Sequence, residues 1–303
     1  MRALVYESYG SPAEVLHVGE APEPHAGPGQ VRVRVRAAGV NPVDWKLMGG
    51  AMAGGAPLED PVVPGFDAAG TVDEVGEGVT GVAVGDEVLG LGSGAQAELS
   101  VLWAWAPKPA EIDWSVAAAA PTAVETTERA LRLVGVEPGQ IVFVDGGAGG
   151  VGAVAVQMAV AQGLTVVASA SEANQGYLRE LGATPVVYGD GLVERVRAAA
   201  PGGVDVVYDV AGKTPVEDLL ALAPQPGKVV SIANFTLPQH GGISTGGGQP
   251  GERRGPESMA LAADLLRRNA VVIKVQTFPY ERAAEAYATS TSGHVRGKLV
   301  LLP

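Results

Sequence analysis

Residues 141–162 restrict the fold more than any other stretch. Ile141-Val142-Phe143-Val144-Asp145 has the composition of a buried strand, and it runs directly into Gly146-Gly147-Ala148-Gly149-Gly150-Val151-Gly152. Val151, Val154, Ala155 and Met158 then recur at the i, i+3, i+4, i+7 spacing of a helix with one buried face. Strand, tight turn and helix are therefore expected in succession. Gly147, Gly149 and Gly152 fit G-x-G-x-x-G, where one glycine turns the chain, one lets a pyrophosphate reach the backbone and one lets helix pack on strand. A pyrophosphate is expected over the helix that starts near Val151, against the backbone from Gly147 through Ala148, Gly149, Gly150 and Val151 to Gly152. There the first amides lack intrahelical acceptors and the helix dipole is positive. A second apolar strand, Leu164 to Ala168, follows after one helix length. The segment thus reads as part of a dinucleotide-binding sheet, which a flexible glycine loop would not explain.

Around it the pattern changes at about Trp114. Before that point short alternating runs dominate. Gln30 to Arg36 interleaves valine with arginine, predicting a half-buried strand with its arginines in water, and Gly70 to Gly76 and Gly85 to Gly90 are further short strands. Together they predict a β-rich, partly open barrel. Beyond Trp114 helices and strands alternate: a helix over Glu125 to Val134 stopped by Gly135, a helix over Glu172 to Leu181 with Ser171 at its cap and Gly182 at its end, and strands at 186–187, 204–210 and 227–233 separated by helices at 192–200 and 216–223. This rhythm predicts a doubly wound parallel sheet covered on both faces. The segment 240–255 has seven glycines in sixteen residues and reads either as a mobile lid or as a tolerated insertion. After it come a helix at 256–268, a strand at 270–275, a helix at 281–290 and a closing strand at 297–302 that returns to the first part of the chain.

At 303 residues the chain suits two domains. The expected division places 1–115 with 265–303 in one and 116–264 in the other. Net charge is −12, the wrong sign for a phosphate-backbone binder, so no nucleic acid partner is expected. No apolar run approaches the roughly 20 residues of a membrane span, and the first residues lack the apolar core of a signal peptide. The expectation is a cytoplasmic chain away from membranes. The chain has no cysteine and four scattered histidines, so neither thiolate chemistry nor a zinc site is expected.

Several stretches in order carry a resemblance: Ala38-Gly39-Val40-Asn41-Pro42-Val43-Asp44, Val63-Pro64-Gly65-Phe66-Asp67-Ala68-Ala69-Gly70-Thr71-Val72, Gly85-Asp86-Glu87-Val88, the glycine turn, and Gly293-His294-Val295-Arg296-Gly297-Lys298-Leu299-Val300. Taken together they resemble the medium-chain dehydrogenase/reductase superfamily, in its zinc-free quinone oxidoreductase branch. The resemblance implies a GroES-like barrel domain, a Rossmann domain and a homodimer. It also implies hydride transfer from NADPH to a quinone or α,β-unsaturated carbonyl. Zinc-containing relatives carry Gly-His-Glu where this chain has Gly65-Phe66-Asp67. A weakly catalytic nucleotide-binding protein and a pathway-specific enoyl reductase are the alternatives.

Within that frame the cofactor residues include Thr126 and Lys298, with Ala211, Ala233 and Asn234 at the carboxyl ends of strands, where open α/β sheets bind ligands. An acid about 20 residues beyond the glycines would select NAD. Here the tip reads Ala168-Ser169-Ala170-Ser171, so NADPH is favoured, with Ser169 or Ser171 on the 2′-phosphate and Tyr188 as a further contact offset by one residue. No arginine is expected in that turn. Asn41 is assigned to the nicotinamide ribose or the acceptor oxygen, with an Asn-Pro turn as the alternative. Asp44 and Lys46 are read either as a proton-relay pair or as a surface ion pair. Trp45, Met48, Met52 and Phe235 are expected to line the acceptor pocket.

Overall fold

The computed structural model describes residues 1–51, 53–248, 252 and 254–303. In chain order it begins with β1 (Arg2–Val5), α1 (Pro12–Val15), β2 (His17–Glu20), β3 (Val31–Val40), α2 (Pro42–Met48), β4 (Asp67–Val75), β5 (Glu87–Ser93), β6 (Leu99–Pro107) and α3 (Trp114–Ala119). It continues with α4 (Pro121–Val134), β7 (Ile141–Asp145), α5 (Gly150–Ala161), β8 (Thr165–Ala170), α6 (Gln175–Glu180), β9 (Thr184–Val187), α7 (Leu192–Ala199), β10 (Val206–Asp209), α8 (Val216–Leu222), β11 (Val229–Ser231) and β12 (Ile243–Ser244). It closes with α9 (Gly255–Arg267), β13 (Val275–Pro279), α10 (Ala283–Thr291) and β14 (Lys298–Leu302). The chain forms two compact units, 1–122 with 255–269 and 273–303, and 123–254 with 270–272.

The first unit is built on β3. Val31, Val33 and Val35 face inward while Arg34 and Arg36 stay exposed, and half-buried Arg32 pairs with Asp73. The strand is antiparallel to β4 along most of its length and to β6 over residues 31–34, which curls the order β13-β14-β3-β4-β5-β6 into a partly closed barrel. Two register shifts, at 32/33 and 35/37, supply the bend. Past Ala37 the strand becomes small and wholly buried, because α3 packs on it: a Cβ at Gly39 would stand 2.9 Å from the Ala118 carbonyl oxygen. β14 returns from the end of the chain to pair with β3 at residues 38–40.

The second unit is a parallel sheet of order β12-β11-β10-β7-β8-β9. Chain order runs outward in both directions from β7 and β10, so the topological switch lies between them. One apolar layer joins α4, α5 and α6 to the sheet through Leu131, Val156 and Leu178, and the other joins α7 and α8 through Val196 and Leu219. α5 carries apolar residues all round and is buried from Gly152 to Ala159, as its sequence requires.

Four expectations change. The strand at 270–275 lies instead at Val275–Pro279, because the Gln157 side chain takes up both backbone groups of Val272, accepting its N–H at 2.8 Å and donating to its carbonyl at 3.1 Å. The helix at 172–181 divides into a 3-10 turn at Glu172–Asn174 and α6. The described part of 240–255 is tied down, with Ile243–Ser244 adding to the sheet beside β11 and Thr245 buried; Gln249, Pro250, Gly251 and Arg253 lie outside the described residues. The first unit also takes in α3 and all of α9, so the boundaries fall near 122 and 255, not at 115 and 265.

Candidate functional site

The glycine turn of the second unit is held from below by buried polar side chains. Gly146 makes the turn with φ +90°. Its N–H donates to the Ser169 hydroxyl oxygen at 2.9 Å, and that hydroxyl donates to Asp145. Gly147 N–H reaches the Ser169 carbonyl at 2.9 Å. Ser169 is fully buried, so it staples the turn and does not reach a 2′-phosphate. The other side of the switch repeats the device. Asp209 accepts from the N–H groups of Ala211 at 3.0 Å and Gly212 at 2.7 Å, while the Ser231 hydroxyl donates to Asp209 and accepts from Ala233 and Asn234 N–H. Asp145 and Asp209 sit side by side in register. Burial raises the Asp145 carboxyl, its bonds to Ser169 and Thr214 lower it, and Asp209 raises it again.

The three motif glycines are not equivalent. A Cβ on Gly152 would lie 2.1 Å from the Gly146 oxygen, and one on Gly147 would lie 2.8 Å from the Ala168 Cβ. Both are therefore demanded by packing. Gly149 has φ −75°, and a Cβ there would meet only the Gly146 oxygen, at an ordinary 3.6 Å. Packing does not require glycine at position 149. Ala148 is buried, whereas Gly149, Gly150 and Val151 are partly accessible.

At the tip of β8, Ser171 is half-buried and accepts from the Asn174 amide at 3.2 Å. Its side chain makes no capping bond; its carbonyl takes the Asn174 N–H instead. Tyr188 N–H donates to Ala170 oxygen at 3.4 Å, which sets the tyrosine beside this tip, and the residue is 48% exposed. An arginine lies beside Tyr188 in space. Arg195, on α7, donates to the carbonyls of Val187 at 2.8 Å, Tyr188 at 3.4 Å and Gly189 at 3.0 Å. Its distance of seven residues from Tyr188 hid it from sequence reasoning. Thr126 on α4 is buried beside an unusual ion pair: Arg129 donates to Glu125 at 2.9 Å, to Thr126 at 3.4 Å and to Thr245.

In the first unit the remaining candidates converge on one buried cluster. Asn41 N-caps α2, with its backbone N–H donating to Asp44 Oδ2 at 2.8 Å. The Asn41 side-chain amide donates to Asp67 at 3.0 Å, and Lys298 Nζ donates to Asn41 Oδ1 and lies 3.4 Å from Asp67. Asp67 also accepts from Thr122, and Gln96 joins Asp44 at 3.5 Å to the Tyr287 hydroxyl at 2.9 Å. Burial pushes the Asp44 carboxyl up to about 8; the Asn41 N–H opposes this, Asp67 adds to it and Lys298 opposes it. Asn41 and Lys298 thus direct their polar atoms at each other and at Asp67. Lys46 is not part of the cluster. Two residues along a helix from Asp44, it is exposed and stands 5.7 Å over the Trp45 ring, so neither the relay pair nor the surface ion pair forms. Met48 is core and Phe235 is 61% exposed, while Met52 lies outside the described residues. Among the described residues no group of three His, Asp or Glu is placed to hold a metal, and no helix is long and apolar enough to cross a membrane.

Known proteins share this architecture. Residues 27–106 match the alcohol dehydrogenase GroES-like domain, and residues 150–246 match the family described as zinc-binding dehydrogenase. The chain is 31% identical to an NADPH-dependent alkenal/one oxidoreductase of Arabidopsis thaliana, over 100% of this chain and 80% of that protein. Among solved structures, it is similar to a mycobacterial protein complexed with NADPH (TM-score 0.86, 28% identity, 100% of both chains). It is also similar to the Escherichia coli quinone oxidoreductase complexed with NADPH (TM-score 0.83, 25% identity, 100% of both chains). A barrel unit and a doubly wound unit with a glycine turn define an α/β dehydrogenase architecture. The chain belongs to the medium-chain dehydrogenase/reductase superfamily, in its quinone oxidoreductase branch.

Proposed function

We propose that this chain is an NADPH-dependent oxidoreductase that transfers a hydride to a quinone or an α,β-unsaturated carbonyl without a metal. The observation that carries the reading is Gly149. Packing leaves room there for a side chain, so the bare backbone at the start of α5 serves a ligand that must come close. The pyrophosphate would rest on the backbone from Gly147 to Gly152. Ser171 and Tyr188, joined by Arg195, would face the 2′-phosphate, a task suited to a guanidinium. Ala211, Ala233, Asn234 and Thr126 are assigned to the rest of the cofactor.

Bound there, the coenzyme supplies the hydride. The chain's contribution is positioning and exclusion of water, because a conjugated acceptor already delocalises the incoming charge. Support for the acceptor class comes from the names of the relatives, which are alkenal/one and quinone oxidoreductases. Metal-free chemistry is proposed because the chain has no cysteine and holds Phe66 where zinc-containing relatives carry histidine. A cytoplasmic homodimer completes the reading. To test it, the protein is mixed with NADPH and a panel of quinones and enones while the nicotinamide absorbance is followed. Oxidation faster with NADPH than with NADH is expected; tight NADPH binding with no turnover across the panel would favour a non-catalytic binder.

A further inference from the structure

The carboxyl ends of four adjacent strands, β8, β7, β10 and β11, carry a row of buried polar side chains: Ser169, Asp145, Asp209 and Ser231. Asp145 and Asp209 are register partners, as are Asp209 and Ser231, so the two carboxyls point to the same face on strands roughly 4.8 Å apart. Each serine spends its only hydroxyl proton inward. Ser169 donates to Asp145 Oδ1 and Ser231 to Asp209 Oδ2 at 2.7 Å, while both serine oxygens accept backbone N–H groups of the flanking turns. Asp209 Oδ1 accepts from Ala211 and Gly212 N–H. That leaves Asp145 Oδ2, which is buried without a hydrogen-bond partner among the described residues. Two buried carboxylates side by side repel, and such a pair keeps one proton. Asp209, with its three donors, is the better anion; Asp145, with an unmatched oxygen, is the better acid. The row lacks one hydrogen at its centre, and a proton on Asp145 Oδ2 supplies it.

We propose that Asp145 is a positioning residue of the coenzyme site: it holds one proton in common with Asp209, and that proton must be in place for an anionic dinucleotide to bind tightly on the glycine turn. This rests on the proposed function, which puts a pyrophosphate over the turn; the shared proton stands without it. Asp145 directly precedes the turn and reaches it through Ser169, whose oxygen takes the Gly146 N–H. With the proton the pair carries a single negative charge. Without it a second charge is added beneath the segment where the pyrophosphate brings its own. Burial raises the Asp145 carboxyl above the ordinary carboxylate range, Ser169 and Thr214 oppose this, and Asp209 adds to it. α5 brings no titratable residue to the turn, and the Glu125–Arg129 pair of α4 bears on Tyr208, the neighbour of Asp209 on β10. Coenzyme affinity is therefore full below the raised value and falls as pH rises through it.

The test titrates NADP⁺, which survives acid, into the whole protein and into Asp145→Asn by calorimetry between about pH 5 and pH 9. Asp145→Asn mimics the protonated acid at every pH, since its oxygen can accept from Ser169 and its amide can donate toward Asp209. Referring wild type to this variant cancels the titration of the coenzyme's own phosphate. The two affinities are expected to agree at the acid end, with wild type about tenfold weaker at the alkaline end. By linkage, the infrared C=O band of a protonated buried carboxyl should persist to higher pH with NADP⁺ bound than without it. That second readout needs only the wild-type protein. An affinity ratio that does not move with pH, or a carboxyl band that the coenzyme leaves in place, would overturn the proposal. A band that titrates in a protein with no affinity for NADP⁺ would instead count against the proposed function and leave the shared proton standing.

Discussion

The staple beneath the glycine turn of the second unit and the cluster of the first are both buried polar arrangements, and they are built in opposite ways. The turn is local. Asp145, Gly146 and Gly147 are neighbours in sequence, and one side chain from the next strand, Ser169, completes the staple. The cluster draws Asn41, Asp67, Gln96, Thr122 and Lys298 from five distant segments. A local device depends on a few backbone angles, whereas a long-range one stands only when the whole barrel is closed. The turn should therefore fail position by position, and the cluster should fail as a unit.

The largest effect is expected at the cluster. Lys298→Met strands Asp67, which is fully buried, and should cost about 3–5 kcal/mol in denaturant unfolding. Adding Asp67→Asn should recover most of that loss; a single variant costing under about 1 kcal/mol would break the contrast. Next comes a pair within the turn. Gly152→Ala drives a Cβ into the Gly146 carbonyl and should cost about 3 kcal/mol, the upper range for overpacking. Gly149→Ala should leave stability within about 0.5 kcal/mol yet weaken NADPH binding at least tenfold, or about 1.4 kcal/mol, in a fluorescence titration. Unaltered coenzyme affinity there would remove the support for a pyrophosphate on this helix. The smallest effect is Ser169→Ala, about 1 kcal/mol of stability from the lost staple, with the NADPH to NADH preference unchanged. Ser171→Ala or Arg195→Ala should move that preference instead.

Much of the fold was legible because hydrophobic periodicity and glycine placement are local signals. β3, β7, α5 and the parallel order of the second unit follow directly from them. The strand expected at 270–275 was not, since its apolar residues satisfy their backbone through Gln157, more than a hundred residues away. The same holds for the site. Ser169 and Ser171 look interchangeable in sequence, but the fold buries one beneath the turn and leaves the other at the tip. Asp44 and Lys46 look like a pair, although residues two apart on a helix face different ways.

By itself the sequence determined most of the elements and the glycine turn, which depend on spacing along the chain, and its motifs carried the resemblance to the family. Only the tertiary structure decided which polar side chains are spent inside the protein, such as Ser169, Asn41 and Lys298. It also decided which are brought together from different elements, such as Arg195 beside Tyr188. The reason is physical: a hydrogen bond and a desolvated charge are properties of neighbours in space, and the barrel and the sheet choose those neighbours from opposite ends of the chain.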